Sequence, residues 1–363
     1  MNIGWLIGMT LIAAFLQGAL FSYANLKALY YNRHFDRKHA FEGDKAALVE
    51  VIKNIKPLPV PWLRAESRIS KNLQFAGEDA EREINAEQYH KSIFFLPPFS
   101  QIQRKHDLVC AKRGAYLLGN VSVTTGDLLC AAKKSKQFAG DCSLIVYPRL
   151  LSDSELDATS SRFLGELMVK RWIMPDPFLT SGVRGYQSGD PVRDIHWRAS
   201  ARLGDLQVKV RDYTADPRMM VVLNVQTSEN QWGELMEAEQ EAIEQGIRIA
   251  ATLCLRALSM GVEAGFATNG CLMGEAGQGL PVIVPSKRHA AQQEILLDTM
   301  ARVLIHRELT FPTCLDALSH LRGEDILILS TYESEAIDLR AKQLRMRGNA
   351  VTFLKLEGGR RDA

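Results

Sequence analysis

The chain of 363 residues, 46% hydrophobic and 24% charged, is long enough for two or three packed domains. It is too apolar for a disordered, collagen-like or disulfide-scaffold protein. Its 44 Lys+Arg against 42 Asp+Glu leave a formal charge of +2, too balanced for a chain-wide nucleic-acid binder, and no partner follows from net charge. The six cysteines, Cys110, Cys130, Cys142, Cys254, Cys271 and Cys314, are scattered, with no C-x-x-C and no Cys/His pair at zinc-ligand spacing. They are read as buried thiols in a reducing compartment.

From Ile3 to Ala24 no charge occurs, and the apolar run matches the ~20 residues that a membrane-spanning helix needs. A signal peptide would carry a basic start and a small-x-small cleavage site; neither is present. The first cation is Lys27, followed by Arg33, His34, Arg37, Lys38 and His39. The positive-inside bias therefore predicts a single-pass protein of the cell membrane, with its N-terminus outside and everything after Lys27 cytoplasmic. Residues 1–26 read as a transmembrane anchor touching the lipid bilayer through 3–24, and 27–43 as a basic juxtamembrane segment with Tyr30 and Tyr31 in an interfacial aromatic belt.

Over 44–148 short runs of period two are broken by Pro and Gly. In Trp62–Ile69, Arg64, Glu66 and Arg68 alternate with Leu63, Ala65 and Ile69, which predicts a strand with one wet and one buried face. Similar strands are expected near 45–54, 91–96, 107–111, 115–124, 127–133 and 143–147, and the lack of intervening helices suggests a β-sandwich. Residues 149–218 read as a connector, with a short helix near 161–169. From 219 to 357 strands and helices alternate, with strands at 219–225, 262–268, 326–330 and 351–356. The helices are expected at about 234–260, 290–304, 312–321 and 333–347, and Gly261 is placed as a C-terminal cap. That succession predicts a doubly wound, mainly parallel sheet, followed by a tail at 358–363.

The segment Arg184-Gly185-Tyr186-Gln187-Ser188-Gly189-Asp190-Pro191-Val192-Arg193-Asp194-Ile195-His196-Trp197-Arg198-Ala199-Ser200-Ala201-Arg202 closely resembles the signature of the bacterial domain-of-unknown-function family numbered 58. Arg113–Val121 followed by Gly126-Asp127 resembles that family's strand-turn element. The resemblance implies a fold class of α+β multidomain type, with an N-terminal transmembrane helix, a β-sandwich and a von Willebrand A-like α/β doubly wound sheet. It also implies a gene neighbourhood holding a MoxR-type AAA+ ATPase and a transglutaminase-like membrane protein.

A metal-binding A-type domain carries Asp-x-Ser-x-Ser after its first strand and a further Asp after a later one, because a hard divalent cation needs charged oxygen ligands. Here those positions read Asn224, Gln226 and Ser228, then Thr331. With both charged positions neutral, the metal site reads as degenerate, and neither metal nor cofactor is expected there.

In 184–211 cations and carboxylates interleave with Tyr186 and Trp197. Arg and large aromatics supply most hot-spot energy at interfaces, so Arg184, Tyr186, Asp190, Arg193, His196, Trp197 and Arg202 are the candidate protein-binding residues. In the structural alternative the charges pair with one another and Trp197 fills a core. His196 close to Asp194 invites an acid–base reading, but no third residue completes a catalytic set. No P-loop, H-E-x-x-H or G-x-S-x-G motif occurs, and the interleaved carboxylates argue against nucleic acid. The expected function is a non-enzymatic membrane adaptor presenting its A-like domain to a protein, the MoxR-type ATPase being the implied partner. The alternative is a metal-dependent binder or enzyme near Asn224 with Asp190 or His196 as ligand or base.

Overall fold

The computed structural model describes residues 3–24, 26, 28–75, 83–84, 87–127, 133–156, 162–163, 165, 180–211, 217–229, 235–274, 277 and 279–356. Expected elements at 127–133 and 161–169 and the 358–363 tail fall wholly or mainly outside these residues. The chain divides into two compact units, Met1–Arg149 and Leu150–Ala363.

The first unit opens with helix α1 (Ile3–Ala24), which corrects the sequence-based expectation of a membrane anchor. No helix among the described residues is long and apolar enough to cross a membrane. Gly8, Thr10, Gln17 and Gly18 interrupt the apolar character of α1. The single-pass topology, the outside N-terminus and the bilayer contact through 3–24 fall with it, and so does the fold class built on a transmembrane helix. The chain is mostly β-sheet instead. Part of the expected juxtamembrane segment is a strand, β1 (Leu29–Phe35), whose alternate residues turn inward: Leu29, Arg33 and Phe35 are buried while Tyr30 is exposed.

The remaining strands of this unit are β2 (His39–Phe41), β3 (Lys45–Asn54), β4 (Val60–Ser70), β5 (Leu73–Phe75), β6 (Glu83–Ile84), β7 (Glu87–Leu96), β8 (Gln101–Cys110), β9 (Gly114–Leu118), β10 (Val121–Gly126), β11 (Lys133–Phe138) and β12 (Cys142–Tyr147). They form sheets in the orders β1-β3-β8-β5, β11-β10-β4-β7-β6 and β2-β12-β9. All pairings are antiparallel except β2 with β12, where His39–Phe41 runs parallel to Ile145–Tyr147. The period-two reading of β4 holds at residue level: Leu63, Ala65 and Ile69 are buried and Arg68 is exposed. Two apolar clusters form the interior. One gathers Phe35, Leu48, Ile69, Leu73 and Leu108; the other gathers Leu29, Ile52, Ala65, Phe94 and Val123. Consecutive inward residues of one strand divide between them, Leu48 to the first and Ile52 to the second, with Glu50 between.

In the second unit a hairpin of β13 (Thr180–Gly185) and β14 (Gln207–Arg211) encloses helix α2 (Trp197–Leu203). The main sheet contains β15 (Arg218–Leu223), β16 (Glu263–Thr268), β18 (Val282–Lys287), β20 (Glu324–Ser330) and β21 (Ala350–Lys355). A small ribbon pairs β17 (Gly270–Leu272) with β19 (Val303–Arg307). The main order is β18-β16-β15-β20-β21, parallel throughout except for the antiparallel edge strand β18. Helices α3 (Glu237–Ser259), α4 (Gln292–Arg302), α5 (Phe311–Ala317) and α6 (Glu335–Met346) connect the strands.

Burial on both faces explains the unbroken apolar run of β15, whose Met219–Leu223 are all fully buried. Met220 and Val222 pack with Phe311 and Leu315 of α5 and Ile337 and Ala341 of α6. Leu223, of opposite parity, meets α3 at Gly246, where a Cβ would lie 2.8 Å from its Cδ1 and 2.7 Å from that of Leu356. Only glycine lets helix and sheet approach so closely there. α3 ends at Gly261, whose φ of +80° suits a residue without Cβ. The Gly261 and Val262 amides donate back to the Leu258 and Ala257 carbonyls, the closing geometry of a helix C-terminus.

Candidate functional site

The signature segment builds a small hairpin-and-helix module with little core of its own. Ile195 and Val208 are buried and bridge to each other. Asp190 fixes the turn: its carboxylate takes both Nη atoms of Arg184, at 2.7 and 2.6 Å, and the Gln187 amide at 2.8 Å. The Arg184 hydrogen bonds, followed by the Gln187 amide, hold the Asp190 carboxyl below its usual range. His196 caps α2, its Nδ1 accepting the Ala199 amide at 3.1 Å, while its own amide donates to the Gln207 carbonyl. Ser200 Oγ accepts the Gln207 amide at 2.8 Å and ties helix to strand. Arg184, Asp190 and His196 therefore shape the module.

The other candidates face outward. Trp197 is 64% exposed, Val192 68% and Leu203 64%, with Tyr186 and Leu206 also open. The alternative that Trp197 fills a core is corrected: it is the first residue of α2 and is exposed. Arg193, Arg198, Arg202 and Lys209 are exposed beside these apolar groups.

The degenerate metal positions lie beyond the carboxyl ends of β15 and β20, where the strand order reverses. Asn224 Nδ2 donates to Ser330 Oγ at 3.0 Å, and Asn224 Oδ1 accepts the Gln226 amide at 3.0 Å. Gln226 Oε1 accepts the Phe311 amide at 2.7 Å and Asn269 Nδ2 at 3.3 Å, and Asn269 Oδ1 accepts the Val225 amide. Thr331 Oγ1 donates to the Gln226 carbonyl, and Gln226 Nε2 donates to that of exposed Ser228. Asn224, Gln226, Asn269 and Ser330 are buried. Side-chain amides here stitch three strand ends together and neutralise backbone groups that would otherwise be orphaned. Sequence reasoning missed Asn269, a polar residue just past a buried strand, which is the signal that marks such ends.

A second constellation, in the first unit, escaped the sequence reading entirely. Glu50 on β3, His106 on β8 and His90 and Ser92 on β7 are each 3% exposed or less. They converge between the two apolar clusters. Glu50 Oε2 accepts Ser92 Oγ at 2.8 Å and lies 3.0 Å from His106 Nε2 and 3.9 Å from His90 Nε2. Ser92 Oγ is 2.9 Å from His90 Nε2 and 3.4 Å from His106 Nε2. Tyr31 donates to Glu50 Oε1 at 2.5 Å. Burial alone would raise the Glu50 carboxyl, but hydrogen bonds from His106, His90, Tyr31 and Ser92 outweigh it and hold the group well below the usual carboxylate range. The same burial, with the Glu50 charge, pushes the Tyr31 phenol far up. Phe75 stacks on the His90 ring at 4.6 Å, and the two imidazoles stand nearly perpendicular at 4.4 Å.

Residues 182–305, which include most of the hairpin, α2 and the first strands of the sheet, match the family described as "Protein of unknown function DUF58". The "Uncharacterized protein YeaD" of Bacillus subtilis (strain 168) is 24% identical over 274 residues, 74% of this chain and 63% of that protein; the chain thus spans less than two thirds of that relative's length. Together these matches support membership of the DUF58 family. Among solved structures, the CARDB domain of the PF1109 protein from Pyrococcus furiosus overlaps 33% of this chain and 96% of its own, at 13% identity and a TM-score of 0.22. A non-cellulosomal cohesin from Archaeoglobus fulgidus overlaps 34% of this chain and 94% of its own, at 10% identity and a TM-score of 0.23. Overlaps this loose carry no argument about fold or function.

Proposed function

We propose that the chain, with its DUF58 match over 182–305, is a non-enzymatic protein-binding module. It docks through the outward face of the signature hairpin onto an acidic surface of its partner, and that partner is a MoxR-type AAA+ ATPase. The observation that carries the docking reading is the exposure of Val192, Trp197 and Leu203 within one short segment that also carries the exposed Arg193 and Arg202. An isolated surface apolar residue needs no explanation, but several large ones exposed in one short, cation-bearing segment favour an interaction surface. Trp and Arg are also the residues that most often dominate binding energy. Asp190 is occupied by Arg184, so it does not cancel the charge of the remaining arginines. The choice of ATPase rests on the sequence resemblance described above.

The test is capture of the purified ATPase by immobilised full-length chain, comparing wild type with the double variant Arg193→Glu, Trp197→Ala. Hot-spot residues contribute about 2 kcal/mol or more each, so each substitution loses ~30-fold in affinity and the double variant on the order of 700-fold. Capture of the ATPase by a folded double variant at unchanged affinity removes the hairpin as the docking site. Failure of wild type to capture the ATPase removes the partner assignment.

A further inference from the structure

We propose that Glu50, His90 and His106, with Ser92 Oγ as the fourth ligand atom, form a divalent transition-metal site inside the first unit, and that Zn²⁺ is the ion it takes. Among the described residues, Glu50, His90 and His106 are grouped so that one ligand atom from each lies within 4.8 Å of the others. With Ser92 Oγ they outline a four-cornered figure, five of whose six edges are 2.8, 2.9, 3.0, 3.4 and 3.9 Å. A tetrahedral Zn²⁺ with bonds of about 2.0–2.1 Å sets its ligand atoms about 3.3 Å apart, the middle of that range. A small contraction of the His90–Glu50 edge and expansion of the Ser92 edges to Glu50 and His90 bring these distances toward that value.

The donor set agrees with the dimensions. Two imidazoles, one carboxylate and one hydroxyl suit a borderline ion such as Zn²⁺ better than Mg²⁺ or Ca²⁺, which take oxygen shells. Four-coordinate and closed to solvent, the site is of the structural kind. The ligands come from two sheets: β3 and β8 belong to one, β7 to the other. Metal bonds there would clamp the sheets at the point where the apolar interior is interrupted. Supporting groups are present too. Tyr31 holds the second oxygen of Glu50, and Phe75 meets His90 face-on and His106 edge-on at 6.2 Å, the kind of outer-shell support that orients ligands.

Binding balances simply. The ion sheds water and gains bonds from one carboxylate oxygen, one hydroxyl oxygen and two Nε2 atoms. Any proton on Nε2 relocates to Nδ1 of the same ring, or leaves to solvent if that ring was cationic. At His90 the Nδ1 atom is buried and has no hydrogen-bond partner, so the relocated proton would sit dry there, an opposing term that the metal bonds must exceed. No oxidant or further reactant takes part.

The test uses the full chain, stripped by chelator and then titrated. Expected results are one Zn²⁺ retained per chain through gel filtration, a rise in the unfolding temperature with Zn²⁺, and the strong visible d–d bands of four-coordinate Co²⁺ in wild type. His90→Ala and His106→Ala should each weaken binding by roughly a hundredfold or more. Because either variant can fail to fold, the Co²⁺ spectrum of wild type stands on its own. Absence of those bands together with an unchanged unfolding temperature overturns the proposal and leaves a hydrogen-bonded network only. So does Zn²⁺ held with undiminished affinity by a folded double His variant.

Discussion

The Glu50 constellation in the β unit and the Asn224 constellation in the α/β unit are both buried and both polar, yet they resolve burial by different chemistry. Around Asn224 every member is neutral. Amide groups donate and accept in equal measure, so Asn224, Gln226, Asn269 and Ser330 satisfy one another and nearby backbone groups without charge. Around Glu50 a full negative charge is enclosed, and only donors that all point at it, from Tyr31, Ser92 and His106, make that tolerable. A neutral network can lose a member and fail locally. A charged one fails around its centre, because every donor was committed to that single acceptor.

The largest separation between them comes from removing each centre. Glu50→Ala strands Tyr31, Ser92 and His106 together and should lower stability by about 3–5 kcal/mol, read by urea denaturation. Gln226→Ala leaves the Phe311 amide and Asn269 short of an acceptor and should lower it by about 2–3 kcal/mol. Equal losses would contradict the contrast.

Acid sharpens it further. The folded Glu50 carboxyl lies below its unfolded value of about 4.3, so its stabilisation is complete above that pH and drains away as pH falls toward the folded value. The stability difference between wild type and Glu50→Gln should therefore shrink as pH drops below about 4.3. The difference for Gln226→Ala has no proton to follow and should stay level over the same range. A Glu50→Gln difference that is flat with pH would mean the carboxylate is not held ionised. The smallest effect is expected outside both networks: Trp197→Ala, at an exposed position, should change stability by no more than ~0.5 kcal/mol while weakening capture of the partner by ~30-fold.

What could be read in advance follows the same division. The α/β unit was legible because its helices are long and periodic. The expected 234–260 and 333–347 appear as Glu237–Ser259 and Glu335–Met346, and Gly261 sits past the first as a cap. Of the strand-end network, Asn224, Gln226 and Thr331 were picked out only as positions of a degenerate metal site, and Asn269, 43 residues from its partner Gln226, was missed. The Glu50 constellation was not, because Glu50 and His106 lie 56 residues apart and meet only through strand pairing. The trace it leaves is a break in period: Leu48, Glu50, Ile52 on one strand and Ser92, Phe94, Leu96 on another, each an inward series with a polar member. That pattern says where a polar residue points but not what it meets. Residues 3–24 misled for the opposite reason, since an uncharged apolar run was taken for a span where the structure gives a helix that does not qualify as one. Tyr31 and Arg33, assigned to a wet interface from their neighbours in sequence, belong to the inward face of β1.

The parallel pairing of β2 with β12 has a consequence in time. β2 leaves the ribosome early, but the strand that completes its sheet is the last of its unit to be made. At roughly 5–20 residues per second, the nascent chain carries β2 unpaired for several seconds, with its backbone donors and acceptors open to any other extended segment. Closure of the first unit is thus a late, long-range event during synthesis, and a chain halted before Cys142 would leave both β2 and β9 waiting for the strand between them.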